Sequence, residues 1–210
     1  MNITKYGHAC LIVATEETTL IIDPGELTEL PDVLSNVVGV IVTHAHADHL
    51  SQSNLQKIRD DSPDFVLYGV QEVIEKCEDI VAKKQVIDAD TALQVGDIDI
   101  SLYYLDHEII YQTSPCKNLA VKVDDQLYYP GDSFHVIPDH VRTVAVPLSA
   151  PWLKSSESIE FAKAMNADVA FPTHNGLLND AGHSVMNNWI IKGLEGNPTT
   201  CKFVKSGEEV

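Results

Sequence analysis

The sequence is poor in positive charge: 14 lysines and arginines stand against 31 aspartates and glutamates in 210 residues, a formal net charge of −17. Arginine is nearly absent, present only as Arg59 and Arg142, and the largest basic cluster is the pair Lys83-Lys84. Such a chain repels phosphate backbones and anionic lipid heads, which weighs against nucleic acid and membrane surfaces as partners. Long apolar runs are missing too: the longest, around Val37–Val42, is strand-sized and far short of the ~18 residues of a membrane span. The N-terminus, MNITKYGHACLIV, has no basic segment leading into a long apolar run and a cleavage site, so no secretion signal is read there and a cytoplasmic protein is expected. The cysteines Cys10, Cys77, Cys116 and Cys201 are widely spaced with no C-x-x-C pair, so a thiolate metal site is unsupported and reduced, mostly buried thiols are expected. A G-x-S-x-G serine nucleophile is also missing. With 44% hydrophobic and 21% charged residues, collagen-like, disordered and disulfide-scaffold classes are excluded.

What is present reads as one domain spanning residues 1–210, without linker, low-complexity tract or close repeat. Strands are expected at Ala9–Ala14, at Thr18–Ile22 before the turn Asp23-Pro24-Gly25, and at Val37–Val42, whose near-continuous apolar run suits burial on both faces. A helix over Ser51–Arg59, a strand at Phe65–Tyr68 and a short helix over Val70–Cys77 follow. The second half repeats the theme. Ile98–Leu105 alternates in part, and Leu119–Val123 and Gln126–Tyr129 form a hairpin around Asp124-Asp125. Val144–Pro147 and Asp168–Phe171 read as strands, and Ser155–Met165 and Ser184–Leu194 as helices. Strand-rich halves, each finished by helices, predict an α+β protein: two mixed sheets face to face with helices outside.

Chemistry concentrates between Val42 and Leu50, which read V-T-H-A-H-A-D-H-L. His44, His46, Asp48 and His49 fall within six residues directly after a buried strand. In a chain with nine histidines, H-x-H-x-D-H arises by chance on the order of 10⁻³ times. Alternation in an extended segment puts His44 and His46 on one side, where both imidazoles can converge on one cation. Asp48 and His49, at the following turn, can reach a second. Imidazole and carboxylate suit zinc, iron or manganese.

This segment resembles the H-x-H-x-D-H signature of the metallo-β-lactamase-fold hydrolases, whose fold is a four-layer αβ/βα sandwich with a two-metal site at one sheet edge. The resemblance covers nearly the whole chain, because further landmarks follow in order: Asp23 in L-I-I-D-P-G, His107 in Y-L-D-H-E, Asp132 in Y-Y-P-G-D-S and His174 in F-P-T-H-N. The stretch L-S-A-P-W-L-K, followed by F-P-T-H-N-G-L-L, is similar to a small single-domain branch of that superfamily. The resemblance implies that His44, His46 and His107 hold one metal. Asp48, His49 and His174 would hold another, and Asp132 would bridge them. Asp23 would steer the histidine loop from behind. Asp48 and Asp132 are thereby candidate catalytic residues. His183 is a further candidate, as a general acid or substrate contact, with a capping or surface role as the other reading. His8, in Y-G-H-A, is read as structural or as a support to the ligands. Trp152 is read either as a pocket wall or as core. His135 and His140 follow Asp132, break the expected order, and are read as loop surface.

The expected cofactors are two divalent metal ions, zinc first, with manganese or iron as alternatives. A metal-bridging hydroxide would attack a small ester, lactone or phosphodiester. The histidine at position 46, where diiron redox members carry an acid, favours hydrolysis. No cysteine ligand, added C-terminal helical region or basic arm points to the β-lactam, glyoxalase-type or tRNA-processing branches. The partner expected is a small molecule, neither nucleic acid nor membrane. A non-catalytic metal-binding or sensor module and, with less support, a nuclease are the alternatives. Loops Gly25–Asp32 and His107–Asn118 would shape the pocket.

Overall fold

The computed structural model describes residues 1–112 and 115–210; Thr113 and Ser114, in the second expected pocket loop, lie outside the described residues. The first sheet is built from β1 (Asn2–Tyr6), β2 (Cys10–Ala14), β3 (Thr19–Ile22), β4 (Val37–Val42), β5 (Val66–Gly69) and β6 (Lys83–Val86), in that order. A two-residue β14 (Glu208–Glu209) pairs outside β1. The second sheet runs β13-β12-β11-β10-β9-β8-β7, from β7 (Thr91–Val95), β8 (Ile98–Asp106), β9 (Lys117–Val123), β10 (Leu127–Tyr129), β11 (Thr143–Pro147), β12 (Val169–Thr173) and β13 (Thr200–Cys201). Both sheets are mixed: β3 to β6 and β10 to β13 are parallel, while β1 to β3 and β7 to β10 are antiparallel. This is the expected pair of sheets.

Period-two alternation divides the apolar residues between two cores. Ala145 and Phe171 face the core shared with the first sheet, which holds Leu11, Ile22, Ile41, Leu67 and Tyr129. Their neighbours Val144, Val146 and Ala170 face outward, where Phe161, Met165 and Ile190 of the covering helices seal them. Those helices are α3 (Ser155–Met165) and α4 (Asp180–Gly193), while α1 (Gln52–Asp61) and α2 (Gln71–Lys76) follow β4 and β5 of the first sheet. Each of three helices begins at a side-chain or backbone cap. The Ser51 hydroxyl accepts from Asn54 N–H at 3.3 Å, the Glu157 carboxylate accepts from Lys154 N–H at 2.7 Å, and Asn179 accepts from Gly182 N–H at 2.9 Å. That last cap starts α4 four residues before the expected Ser184.

The expected strand at Phe65–Tyr68 shifts by one residue, and β6 and β7 carry no readable apolar pattern. Both lie at sheet edges, and the side chains of β6 are mainly exposed. Although exposure alternates along β7, only Val95 is buried and the small, apolar Ala92 lies on the open face, so the residue types do not follow the alternation. The strand senses have one consequence for function. The carboxyl ends of β1, β3, β4, β8, β10, β11 and β12 open on one rim, and Leu119 N–H donating to Thr43 C=O at 3.0 Å ties the two sheets there. Ligand sites in sheets with parallel strands gather at such ends.

Candidate metal centre

The histidine loop is shaped from the strand beside it. Asp23, at the end of β3, is fully buried and sits in the left-handed region at φ +50°. Its Oδ1 accepts from Thr43 N–H at 2.7 Å. Its Oδ2 accepts from the Thr43 hydroxyl at 2.8 Å, His49 Nδ1 at 2.6 Å and the Tyr129 hydroxyl at 2.8 Å. Two residues on, the chain passes so close to the loop that a Cβ on Gly25 would lie 1.9 Å from Asp48 O. Only glycine fits that approach. Glu26 N–H donating to Ala47 C=O at 2.7 Å completes the clamp.

Six candidate ligands meet around a seventh, Asp132, which is buried after the turn that ends β10. Its Oδ2 lies 3.2 Å from His107 Nε2, 3.1 Å from His174 Nε2 and 3.9 Å from His44 Nε2, and its Oδ1 lies 3.1 Å from His49 Nε2. Donor atoms of His44, His46, His107 and Asp132 fall within 4.8 Å of one another, as do those of His49, Asp132 and His174 and those of His44, Asp48 and His49. Asp48 Oδ2 is 3.2 Å from His174 Nε2 and 3.8 Å from His49 Nε2. Asp48 is also the open carboxylate of the group, its side chain 26% exposed against 3% for Asp132.

The far side of each ring decides what its Nε2 can do. His107 Nδ1 lies 2.5 Å from Glu108 C=O, His174 Nδ1 2.7 Å from Ser149 C=O, and His49 Nδ1 faces the Asp23 carboxylate. These oxygens only accept, so each Nδ1 carries the proton. His44 Nδ1 lies 3.0 Å from the Thr43 hydroxyl, whose own proton goes to Asp23, so His44 also donates through Nδ1. A neutral imidazole turned this way points a lone pair at the Asp132 carboxylate, an arrangement that only a proton or cation between them makes favourable. Nε2 of His44, His49 and His174 and Oδ1 of Asp132 are buried without a hydrogen-bond partner among the described residues. The residues therefore fit divalent cations.

The charge distribution agrees. Burial lowers the pKa of His44 well below the ordinary histidine value, with His49 adding to the effect. Burial opposes a charge on His49 as well, but Asp132 and Asp23 outweigh it and push that ring well above. His174 is raised to about 9 because the Asp132 and Asp48 carboxylates beside its Nε2 overcome burial. Asp132 and Asp48 are held below the usual carboxylate range against the cost of burial, Asp132 chiefly by His49 and Asp48 chiefly by His174 and His8. His49 and His174 thus hold protons that a cation would displace.

Several surrounding residues escape a reading of the sequence. Tyr129 and Thr43 look like ordinary strand residues, yet both bind Asp23. Asn118 accepts from Asp132 N–H at 3.1 Å and braces the turn through Pro130 C=O. Trp152 proves to be a wall rather than core: its indole N–H donates to Asp132 Oδ2 at 2.9 Å, and its ring meets Phe134, His107 and His174 edge-on. Cys116 Sγ lies 3.9 Å from His46 Nε2. Ile109, Ile110 and Tyr111, just after His107, are exposed, as is Leu177, just after His174. His183 is not brought into the cluster. It lies in the first turn of α4 and lines a cavity of about 570 Å³ with Lys5, Asn175, Asn187 and Phe203. His140 reaches Asp168 on the surface and His135 packs on Tyr103. His8 is buried beside Asp48 and His174.

A family described as the β-lactamase superfamily domain matches residues 2–174. The protein Rv0786c of Mycobacterium tuberculosis is 28% identical over 191 residues, 85% of each chain. A protein of Haloarcula marismortui named as a UPF0173 metal-dependent hydrolase is 27% identical over 122 residues, 54% of this chain and 48% of that protein. Among solved structures, Igni18, a metallo hydrolase of Ignicoccus hospitalis, superposes with a TM-score of 0.72 at 16% identity, covering 100% of this chain and 97% of its own. That likeness is one of fold.

Proposed function

The chain belongs to the β-lactamase superfamily, and from that premise we propose that it is a dinuclear metal-dependent hydrolase of a small ester, lactone or phosphodiester. The observation that carries this reading is the ring of inward-facing Nε2 atoms on His44, His49, His107 and His174 around the Asp132 carboxylate. His44, His46 and His107 would hold one cation and Asp48, His49 and His174 the other, with Asp132 shared. Zinc suits this donor set best, with manganese or iron as alternatives. Bound there, such ions lower the pKa of a coordinated water toward neutrality and polarise an electrophilic oxygen.

The chain's own residues supply the rest. Asp132 is anchored by the Trp152 indole and enclosed by Nε2 of His49, His107 and His174 at 3.1–3.2 Å, which suits it to hold position rather than to move protons. Asp48 has solvent access and can accept a hydrogen bond from the attacking water, orienting it. Trp152 and Phe134 wall one side and exclude bulk water. The exposed Ile109, Ile110, Tyr111 and Leu177 flank the ligands with apolar surface, which favours a carbon ester or lactone over a phosphodiester. The charge of −17 supports a small-molecule substrate rather than nucleic acid. Four unpaired cysteines suit a reducing cytoplasm. No helix among the described residues is long and apolar enough to cross a membrane.

The test is elemental analysis of metal-reconstituted protein, together with a panel of p-nitrophenyl esters, lactones, a thioester and bis-p-nitrophenyl phosphate. Two metal equivalents per chain are expected, with turnover that falls at least ~1000-fold in Asp132→Ala, equivalent to roughly 4 kcal/mol of barrier. Metal-loaded protein that is inert across the panel would instead support a non-catalytic metal-binding module.

A further inference from the structure

His8 closes the turn between β1 and β2 and is 0% exposed. Its carbonyl accepts from His174 N–H at 2.8 Å, and its ring stacks edge-on against His174 at 4.0 Å between centroids. Its Nε2 lies 3.4 Å from Asp48 Oδ2, a contact short of a well-formed hydrogen bond, and has no hydrogen-bond partner among the described residues. Donor atoms of His8, Asp48 and His174 lie within 4.8 Å of one another, so proximity alone makes His8 a candidate eighth ligand.

The opposite nitrogen excludes that role. Gly176 N–H donates to His8 Nδ1 at 2.9 Å. A Cβ on Gly176 would lie 3.0–3.2 Å from His8 Cβ, Cα and Nδ1, so glycine lets the amide approach this closely. With its Nδ1 lone pair occupied, the neutral ring carries its proton on Nε2, and a protonated nitrogen offers a cation nothing. His44, His49, His107 and His174 have the reverse arrangement: each donates through Nδ1 and turns inward an Nε2 whose lone pair is open to a cation once any proton there is displaced.

We propose that His8 is a positioning residue, an Nε2–H donor that holds the Asp48 carboxylate against His174, and that it is not a metal ligand. This assignment rests on the dinuclear reading for its consequence, though not for the tautomer itself. Asp48 is the most exposed carboxylate of the cluster, and His8 is the buried donor that limits its rotation.

The direct measurement is a long-range ¹H–¹⁵N spectrum of histidine-labelled, zinc-reconstituted protein. His8 is expected as the Nε2–H tautomer and the rings of His44, His49, His107 and His174 as Nδ1–H tautomers. A bare Nε2 on His8 overturns the proposal. The second measurement compares His8→Gln with His8→Phe by zinc competition against a chromophoric chelator and by the visible spectrum of the cobalt(II)-substituted protein. His8→Phe is expected to weaken the second metal equivalent about 10- to 100-fold, with the cobalt band unmoved because the ligand set is unchanged. His8→Gln is expected to recover most of that loss, since its amide oxygen can accept from Gly176 while its NH₂ donates toward Asp48. A shifted cobalt band, failure of glutamine to rescue, or wild-type affinity in His8→Phe would each overturn the assignment. Wild-type protein that takes up no zinc would refute the metal reading, while the spectrum of the labelled protein would still decide the tautomer of His8.

Discussion

Replacing Asp23 by asparagine changes one atom and tests the support beneath the histidine loop. Four buried donors converge on this carboxylate, three on Oδ2 and one on Oδ1. Asparagine must keep its oxygen toward the three, which turns its NH₂ against Thr43 N–H, now 2.7 Å from the Oδ1 position. Two buried donors then face each other unsatisfied, at about 1–3 kcal/mol each. The three remaining bonds fall from charge-assisted to neutral strength, at about 1 kcal/mol each. The total is about 5–9 kcal/mol, which for a chain of this length corresponds to a fall in Tm of roughly 10–20 °C. Thermal unfolding of chelator-treated protein is the appropriate assay, because bound metal would stabilise both proteins by mass action. Tyr129→Phe removes one of the four donors and is expected to cost only about 1–2 kcal/mol, which sets the order of the two variants. His49 also loses its charged anchor, so zinc affinity is expected to fall about 10- to 100-fold in Asp23→Asn. A Tm within about 2 °C of wild type, or a smaller loss than in Tyr129→Phe, would refute the reasoning.

Gly25→Ala puts a Cβ 1.9 Å from Asp48 O and 2.6 Å from His49 N, so the two loops must separate; loss of zinc uptake, read by elemental analysis, is expected even where the protein still folds. Loading zinc at pH 7 is expected to release protons, because His174 is raised to about 9 and His49 well above its ordinary value. Calorimetry in buffers of different ionisation heat measures that release, and a buffer-independent heat would contradict it. Lys5 is 2% exposed, and burial lowers its amine to about 8, so between pH 8 and its ordinary value of 10.5 the unfolded chain binds the extra proton and stability rises with pH. Relative to wild type, Lys5→Met should therefore be better by about 2 kcal/mol at pH 7 than at pH 10 in denaturant titrations. The thiol of Cys77, raised to about 11 by burial, acts in the opposite sense but equally in both proteins.

How much of this was legible depended on how local each feature is. V-T-H-A-H-A-D-H stands out because four ligand residues fall within six positions after a near-continuous apolar run of strand length. The helix Ser155–Met165 could be read to the residue because an apolar face runs its whole length. Edge strands β6 and β7 could not, since nearly all their side chains keep contact with water and the residue types follow no apolar alternation. The true start of α4 was hidden because its cap, Asn179, precedes the apolar pattern. Tyr129 gave no sign of its role, because the hydroxyl's partner lies 106 positions away. Trp152 left two readings open until the fold set its indole on Asp132.

Composition and pattern alone determined the acidic balance, the two strand-rich halves and the imidazole–carboxylate chemistry, because each depends on which residues are present and on their nearest neighbours. Only the tertiary structure decided which nitrogen of each ring faces inward. That choice belongs to whatever holds the other nitrogen: the adjacent Thr43 for His44 and Glu108 for His107, but distant chain for the other three, Asp23 for His49 across 26 positions, Ser149 for His174 across 25, and Gly176 for His8 across 168. The nine histidines are one residue type in the sequence. The fold divides those at this rim into lone pairs offered to a cation and, in His8, a proton offered to the carboxylate beside it.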